Sequence, residues 1–218
     1  MLKYKYFMSD NNHKLDTFLY NKIKDIKNVK ILEFGVREGV STKLFVNLAE
    51  KNNGKVFSVD LNDYSDLIKS NKWKFIHSRD DNYELIKSKI DNKFDVILLD
   101  SQHEANHVKN IIYNYYDLLK KDGYFFVDDI SWLPYLKKSY RDNFWCEINN
   151  KETFNIILDI YSENISNFDL EYTFIASGFA LIKKNNDNKL NPIIKKRNRS
   201  FSIRNLLRLT KKKILFEK

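Results

Sequence analysis

The 218-residue chain predicts an α/β fold: a Rossmann-like, doubly wound, mostly parallel sheet that ends in a C-terminal antiparallel hairpin. Three observations carry this expectation. Short, nearly continuous apolar runs recur from Lys30 onward with helical patterns between them, as in a parallel sheet buried on both faces. The last two runs are joined too briefly for a parallel crossover, so they form a hairpin. The first run leads straight into a glycine turn, ILEFGVREGVST (31–42), of the kind that approaches a ligand.

The elements follow in order. HKLDTFLYNKIKDI, within the first thirty residues, reads as one or two helices outside the sheet unit. KILEFGV opens the sheet, and Leu44, Phe45, Leu48 and Ala49 then mark one face of a helix. KVFSVDL (55–61), KFIHS (74–78) and FDVILLD (94–100) supply three more strands. Val108, Ile111, Ile112, Tyr115 and Leu119 have helical spacing, and KKDG (120–123) offers the basic residues and glycine that end a helix. GYFFVDD (123–129) is the fifth strand, KETFNIILDIYS (151–162) a helix, and FDLEYTFIA with GFALIKK the hairpin. From Asn185 the periodicity stops, and NNDNKLNP reads as a polar linker. The expected organisation is one domain over residues 1–184, whose residues 1–29 are an N-terminal helical segment, and a basic tail over 185–218.

Charge and cysteine content narrow the classes. Of 38 basic and 29 acidic residues, eleven and two fall in residues 185–218, so the whole net charge of +9 belongs to the tail. The balanced body argues against an RNA substrate. A single cysteine, Cys146, excludes an internal disulfide framework and fits a reducing compartment. The N-terminus lacks the apolar run of a signal peptide, and nowhere do eighteen apolar residues stand together, so the expected location is the cytoplasm.

The glycine turn lies where open parallel sheets bind ligands, at the carboxyl end of a strand. A dinucleotide fingerprint would need G-x-G-x-x-G, and Arg37 stands where its second glycine belongs, which disfavours a nicotinamide enzyme. What is present is E-x-G-x-x-x-G-x-S (Glu33, Gly35, Gly39, Ser41), followed by an acid, Asp60, at the end of the second strand. This pattern resembles the class I S-adenosylmethionine-dependent methyltransferases over about residues 25–184, whose cofactor, a sulfonium cation with an amino group and no phosphate, tolerates acids beside such a loop. The resemblance implies that the Glu33–Ser41 loop meets the methionine and ribose portions and that Asp60 receives the ribose diol. His77 and Asp80, with Ser78 and Arg79 as rivals, would then lie near the adenine.

A second constellation is FDVILLDSQHEANHV, followed by Asp128 and Asp129 at the end of the neighbouring strand. Asp100 and this pair face one crevice, and three carboxylates so close repel unless a cation joins them. An all-oxygen set selects a hard divalent ion, Mg²⁺ above Mn²⁺ or Ca²⁺. D-x-x-H with a later D-D is similar to metal-dependent small-molecule O-methyltransferases, in particular those acting on sugar hydroxyls of macrolides, and to cephalosporin-hydroxylase-like proteins. That resemblance implies Asp100, Asp128 and Asp129 as metal ligands, with His103, beside Asp100, as the catalytic base; Gln102 occupies the position where some relatives carry an acid. The duller readings are a helix cap for Asp100 and a solvated first-turn residue for His103. His107 reads as structural or as a substrate wall.

Trp132, Tyr135, Tyr140, Phe144 and Trp145 form either an acceptor wall or the core packing of an extra helix. In the tail, Ile203, Leu206, Leu207 and Ile214 share one helical face between basic residues. Three roles compete for it: an anionic membrane surface, nonspecific nucleic-acid contact, and packing on the body or on a second copy in a homo-oligomer. The expected activity is methylation of a hydroxyl on a sugar, glycoside or other small molecule. Its rivals are a nucleic-acid methyltransferase guided by the tail and a non-catalytic binding or assembly protein.

Overall fold

A computed structural model describes residues 13–91, 93–138, 141–194 and 202–216. Seven strands form one sheet: β1 (Lys30–Phe34), β2 (Lys55–Asp60), β3 (Trp73–His77), β4 (Phe94–Leu99), β5 (Leu119–Asp128), β6 (Phe168–Thr173) and β7 (Phe179–Lys184). Their order is β3-β2-β1-β4-β5-β7-β6, with β1 to β5 parallel and β7 antiparallel to both neighbours. A π-helical segment, Leu15–Tyr20, running on into Asn21–Ile23 makes α1. The remaining helices are α2 (Val40–Lys51), α3 (Tyr83–Lys89), α4 (Ala105–Tyr115), α5 (Phe144–Glu163) and α6 (Ile203–Phe216).

Alternation along the strands divides the core. Leu32, Phe34, Ile97, Leu99, Phe125 and Val127 face α4 and α5, where Val108, Ile112, Ile157 and Ile160 meet them. Ile31, Val56, Val96, Leu98 and Phe126 face α2 and α1. The register then fixes the functional edge. Phe34 pairs with Val59 and Leu99, Leu99 with Val127, and Asp128 with Phe179. Gly35, Asp100 and Asp128 therefore leave the sheet side by side.

Four expectations change. The N-terminal segment is part of the sheet unit: Phe18 stacks on Phe179 at 6.2 Å and meets Phe126 edge-on at 6.3 Å, because its apolar residues cover a face that α2 leaves open. KKDG does not end a helix; α4 stops at Tyr115, a 3₁₀ turn follows (Tyr116–Leu118), and Lys120 lies in β5, its ammonium 2.7 Å from Asp95. The helix expected over 151–162 begins at Phe144, because Asn143 accepts the N–H groups of Trp145 and Cys146. NNDNKLNP is bound to the body, so the body extends beyond 184. Asn185 donates to Asn167 O at 2.8 Å, Asn191 exchanges bonds with Asn164, and Leu190 and Ile193 pack on the main core.

Of the roles expected for the tail, packing on the body is not what the described residues show. α6 forms, yet Ile203, Leu206, Leu207 and Ile214 are 80%, 64%, 66% and 66% exposed.

Candidate active site

The glycine turn is built around Glu33. Its carboxylate is fully buried and accepts the hydroxyls of Ser41 (2.6 Å), Thr42 (2.8 Å) and Ser58 (2.6 Å), tying β1 to α2 and β2. Burial raises its pKa to about 7 against the opposing pull of the three hydroxyls, and the charge of Asp60 adds to the rise. Glu33 lines neither of the site's two cavities and holds the loop in place through its three hydroxyl partners. Gly39 likewise serves the turn: it caps α2 at φ 73° and packs on Leu67. Ser41 reaches the cavity wall while giving its hydroxyl to Glu33.

Gly35 has the most direct steric role. At φ 95°, a Cβ there would stand 2.0 Å from the carbonyl oxygen of Asp100, so only glycine lets the two strand ends approach. Arg37 adopts φ 48°, the left-handed conformation that a glycine would enter freely, at a cost of about 1–2 kcal/mol. The loop keeps its shape because Asp60 Oδ2 accepts the N–H groups of Val36 (2.7 Å) and Arg37 (3.4 Å).

Two cavities of about 320 and 280 Å³ open along this edge, and Gly35, Arg37, Asp100 and Ser101 line both. The first also contains Asp60, Asn62, Ser78, Arg79 and Asp80. Asp80 accepts from Ser101 and from His107 Nε2 (2.8 Å), and its backbone carbonyl holds Tyr115 OH. Burial alone would raise the Asp80 pKa, but the His107 and Ser101 bonds and the His107 charge bring it below the usual range. The same Asp80 bond raises that of His107 against its burial. His107 thus anchors a cavity acid from α4 instead of forming a substrate wall.

The second cavity gathers the acids. Asp100, Asp128, Asp129, His103, Lys14 and Ser177 line it together. His103 Nε2 stands 3.4 Å from Asp129 Oδ2 and 3.7 Å from Asp100 Oδ1. Thr153 on α5 holds the His103 carbonyl at 3.1 Å. Asp100 caps no helix, since the N-cap of α4 is Glu104. Desolvation in the crevice, then the charges of Asp128 and Asp129, push the Asp100 carboxyl well up. Asp129 is lowered on balance because His103, Lys14 and Ser177 outweigh its desolvation.

Lys14 is a site residue that sequence reasoning missed. Its ammonium is 2% exposed as a residue and lies 2.5 Å from Asp128 Oδ1 and 2.8 Å from Ser177 Oγ. Asp128 Oδ1 also accepts the Asp129 N–H at 2.6 Å. Burial raises the Asp128 carboxyl, and Lys14 opposes that rise. Asp129, at φ 58°, turns its carboxylate toward His103. Among the described residues no three His, Cys, Asp or Glu side chains stand at metal-holding spacing. The donor chemistry nevertheless fits a hard divalent ion: three acids crowd one crevice and one of them already draws a cation. Asp100 and Asp129 are the residues that could hold such an ion, with Asp128 available only if Lys14 gave up its bond.

The aromatic segment divides. Trp132 packs on Phe154 (5.1 Å) and Phe174 (5.9 Å), and Tyr135 is buried. Phe144 and Trp145 are 64% and 70% exposed and contact each other, so they are not core. Tyr140 lies outside the described residues.

Residues 32–130 match the family model for a methyltransferase domain. No curated protein matches the chain. Among solved structures, MycE methyltransferase from the mycinamycin biosynthetic pathway, bound to Mg and SAH, is 16% identical with a TM-score of 0.59, covering 84% of this chain and 55% of its own. The chain therefore spans about half the length of MycE. The SAH-bound Podospora anserina methyltransferase PaMTH1 is 12% identical (TM-score 0.59; 83% and 88% covered). A Methanococcus jannaschii fibrillarin pre-rRNA processing protein is 19% identical (TM-score 0.52; 73% and 68% covered). At such identities the likeness is one of fold. The methyltransferase-domain match thus spans residues 32–130, and the 3-2-1-4-5-7-6 strand order gives the chain the fold of the solved methyltransferases it resembles.

Proposed function

We propose that the protein transfers a methyl group from S-adenosylmethionine to a hydroxyl of a sugar, glycoside or other small molecule, with a hard divalent cation as auxiliary. One observation carries this reading: the cavity of Gly35, Asp60 and Asp80 and the crevice of Asp100, Asp129 and His103 share a wall, so a donor in one can face an acceptor in the other. The likeness to MycE, a methyltransferase of the mycinamycin biosynthetic pathway bound to Mg and SAH, supports the same choice.

The chain's own residues have defined tasks. Asp60, its loop contacts made, retains lone pairs that can accept the ribose hydroxyls. Gly35 lets the donor approach closely, and Asp80 closes the far side. His103 Nε2 takes the acceptor's hydroxyl proton; the oxygen then forms the new bond to the methyl carbon as the carbon–sulfur bond breaks, releasing S-adenosylhomocysteine. Asp129, whose carboxylate lies 3.4 Å from Nε2, stabilises the imidazolium that results. A divalent ion held by Asp100, Asp129 and Asp128 would lower the pKa of the acceptor hydroxyl. In-line placement of oxygen and methyl supplies much of the remaining acceleration.

The test is calorimetry with S-adenosylmethionine, S-adenosylhomocysteine and NAD, with and without Mg²⁺, followed by transfer of labelled methyl to a panel of glycosides. Adenosyl binding and a His103→Asn loss of about 10²–10⁴-fold in kcat/KM are expected. Binding of NAD alone, or full activity in His103→Asn, refutes the reading.

A further inference from the structure

We infer that α6 is an in-plane docking helix for an anionic lipid bilayer, an attachment independent of the methyl acceptor. The helix presents two stripes. Ile203, Leu206, Leu207 and Ile214 stand at helical spacing on one side and are at least 64% exposed. Thr210, between them, returns its hydroxyl to Leu206 O at 3.0 Å, so it adds no free donor to that side. Arg204, Arg208 and Lys211 form the adjacent stripe at intervals of four and three residues. No acid occurs between Ile203 and Phe216, and the body is electrically balanced.

Charge complementarity selects an anionic partner, and the apolar stripe selects its class. A nucleic acid would satisfy the basic stripe and leave four large aliphatic side chains in water. A second copy of the helix would bury those side chains while bringing like charges together. An anionic bilayer accepts both stripes: the aliphatic carbons enter the acyl boundary, and the guanidinium and ammonium heads reach the lipid phosphates on their flexible stems. A helix of 14 residues is about 21 Å long, and among the described residues no helix is long and apolar enough to cross a membrane, so α6 lies along the surface.

The test is co-sedimentation of the full chain with phosphatidylcholine vesicles and with vesicles that also contain phosphatidylglycerol, at low and near-physiological salt. The wild type should pellet with the anionic vesicles only, and less at the higher salt. Leu206→Glu/Leu207→Glu should abolish pelleting, and Arg204→Glu/Arg208→Glu should lower it at least about tenfold. Both variants should keep the wild-type melting temperature and S-adenosylhomocysteine binding, since α6 leaves the body's core untouched. Three results overturn the inference: no preference for anionic vesicles, pelleting that survives the leucine variant, or a salt-sensitive RNA complex indifferent to that variant. A concentration-dependent dimer abolished by the leucine variant, without vesicle binding, would assign the helix to a second copy and equally overturn it.

Discussion

Replacing Lys14 with Met tests the balance of charge at the catalytic edge. The change removes the ammonium 2.5 Å from Asp128 while keeping most of the side-chain volume. Both partners are almost fully buried, with side chains 3% and 11% exposed, so Asp128 would be left as an uncompensated buried acid beside Asp100 and Asp129. Breaking a buried pair in this way costs about 3–5 kcal/mol. For a chain of this size each kcal/mol moves the midpoint by about 2–4 °C, so the metal-free variant should melt roughly 6–20 °C below wild type. A divalent ion is the alternative counter-charge, and without Lys14 it no longer competes for Asp128 Oδ1. Mg²⁺ or Mn²⁺ should therefore recover most of the loss, and calorimetric affinity for Mn²⁺ should rise at least about tenfold over wild type. Scanning calorimetry and titration with each ion measure both quantities. A Lys14→Met protein that melts with the wild type and binds Mn²⁺ no better would refute the reasoning.

Two further predictions concern pH and one concerns shape. The Glu33 pKa, about 7 in the fold against 4.5 ordinarily, makes wild-type stability fall as pH rises through that interval; Glu33→Gln should flatten this arm in melting curves taken across it. His107 is raised by Asp80, so its contribution is complete below its ordinary value of 6.5 and is lost as pH rises through the raised one. Asp80 is lowered, and its contribution is lost as pH falls through the depressed value, so the wild-type minus His107→Gln difference in melting temperature should shrink on both sides of that window. Gly35→Ala should cost more than about 2 kcal/mol and abolish S-adenosylhomocysteine binding in calorimetry, because its Cβ would meet the Asp100 carbonyl at 2.0 Å with φ at 95°.

The sheet was legible because strands buried on both faces leave unbroken apolar runs, and the site acids because they stand at the ends of those runs. Asp100 and Asp128 needed only the inference that β4 and β5 are neighbours, which the register bears out. Lys14 was illegible: it is one lysine in a lysine-rich chain, 114 residues from Asp128, and its placement depends on how α1 packs over β5 and β7. Ser177 reaches the crevice only because the β6–β7 turn lies at the same edge, with Gly178 at φ 78°. KKDG misled because Lys120 and Gly123 carry helix-ending chemistry, while the ion pair Lys120 makes with Asp95 is tertiary. The asparagine-rich segment after β7 looked like a spacer because its bonding with Asn164 and Asn167 has no hydrophobic period to announce it.

That asparagine bonding has a geometric outcome. β7 carries the chain from the crevice rim back across the sheet, and the segment is then fastened beside Asn167, Asn164 and the far end of α4 through Tyr113. The last described residues of the body, up to 194, therefore lie at the pole remote from the acid-lined edge. Any hold taken on the chain at that pole would leave the opposite edge, with both its cavities, uncovered.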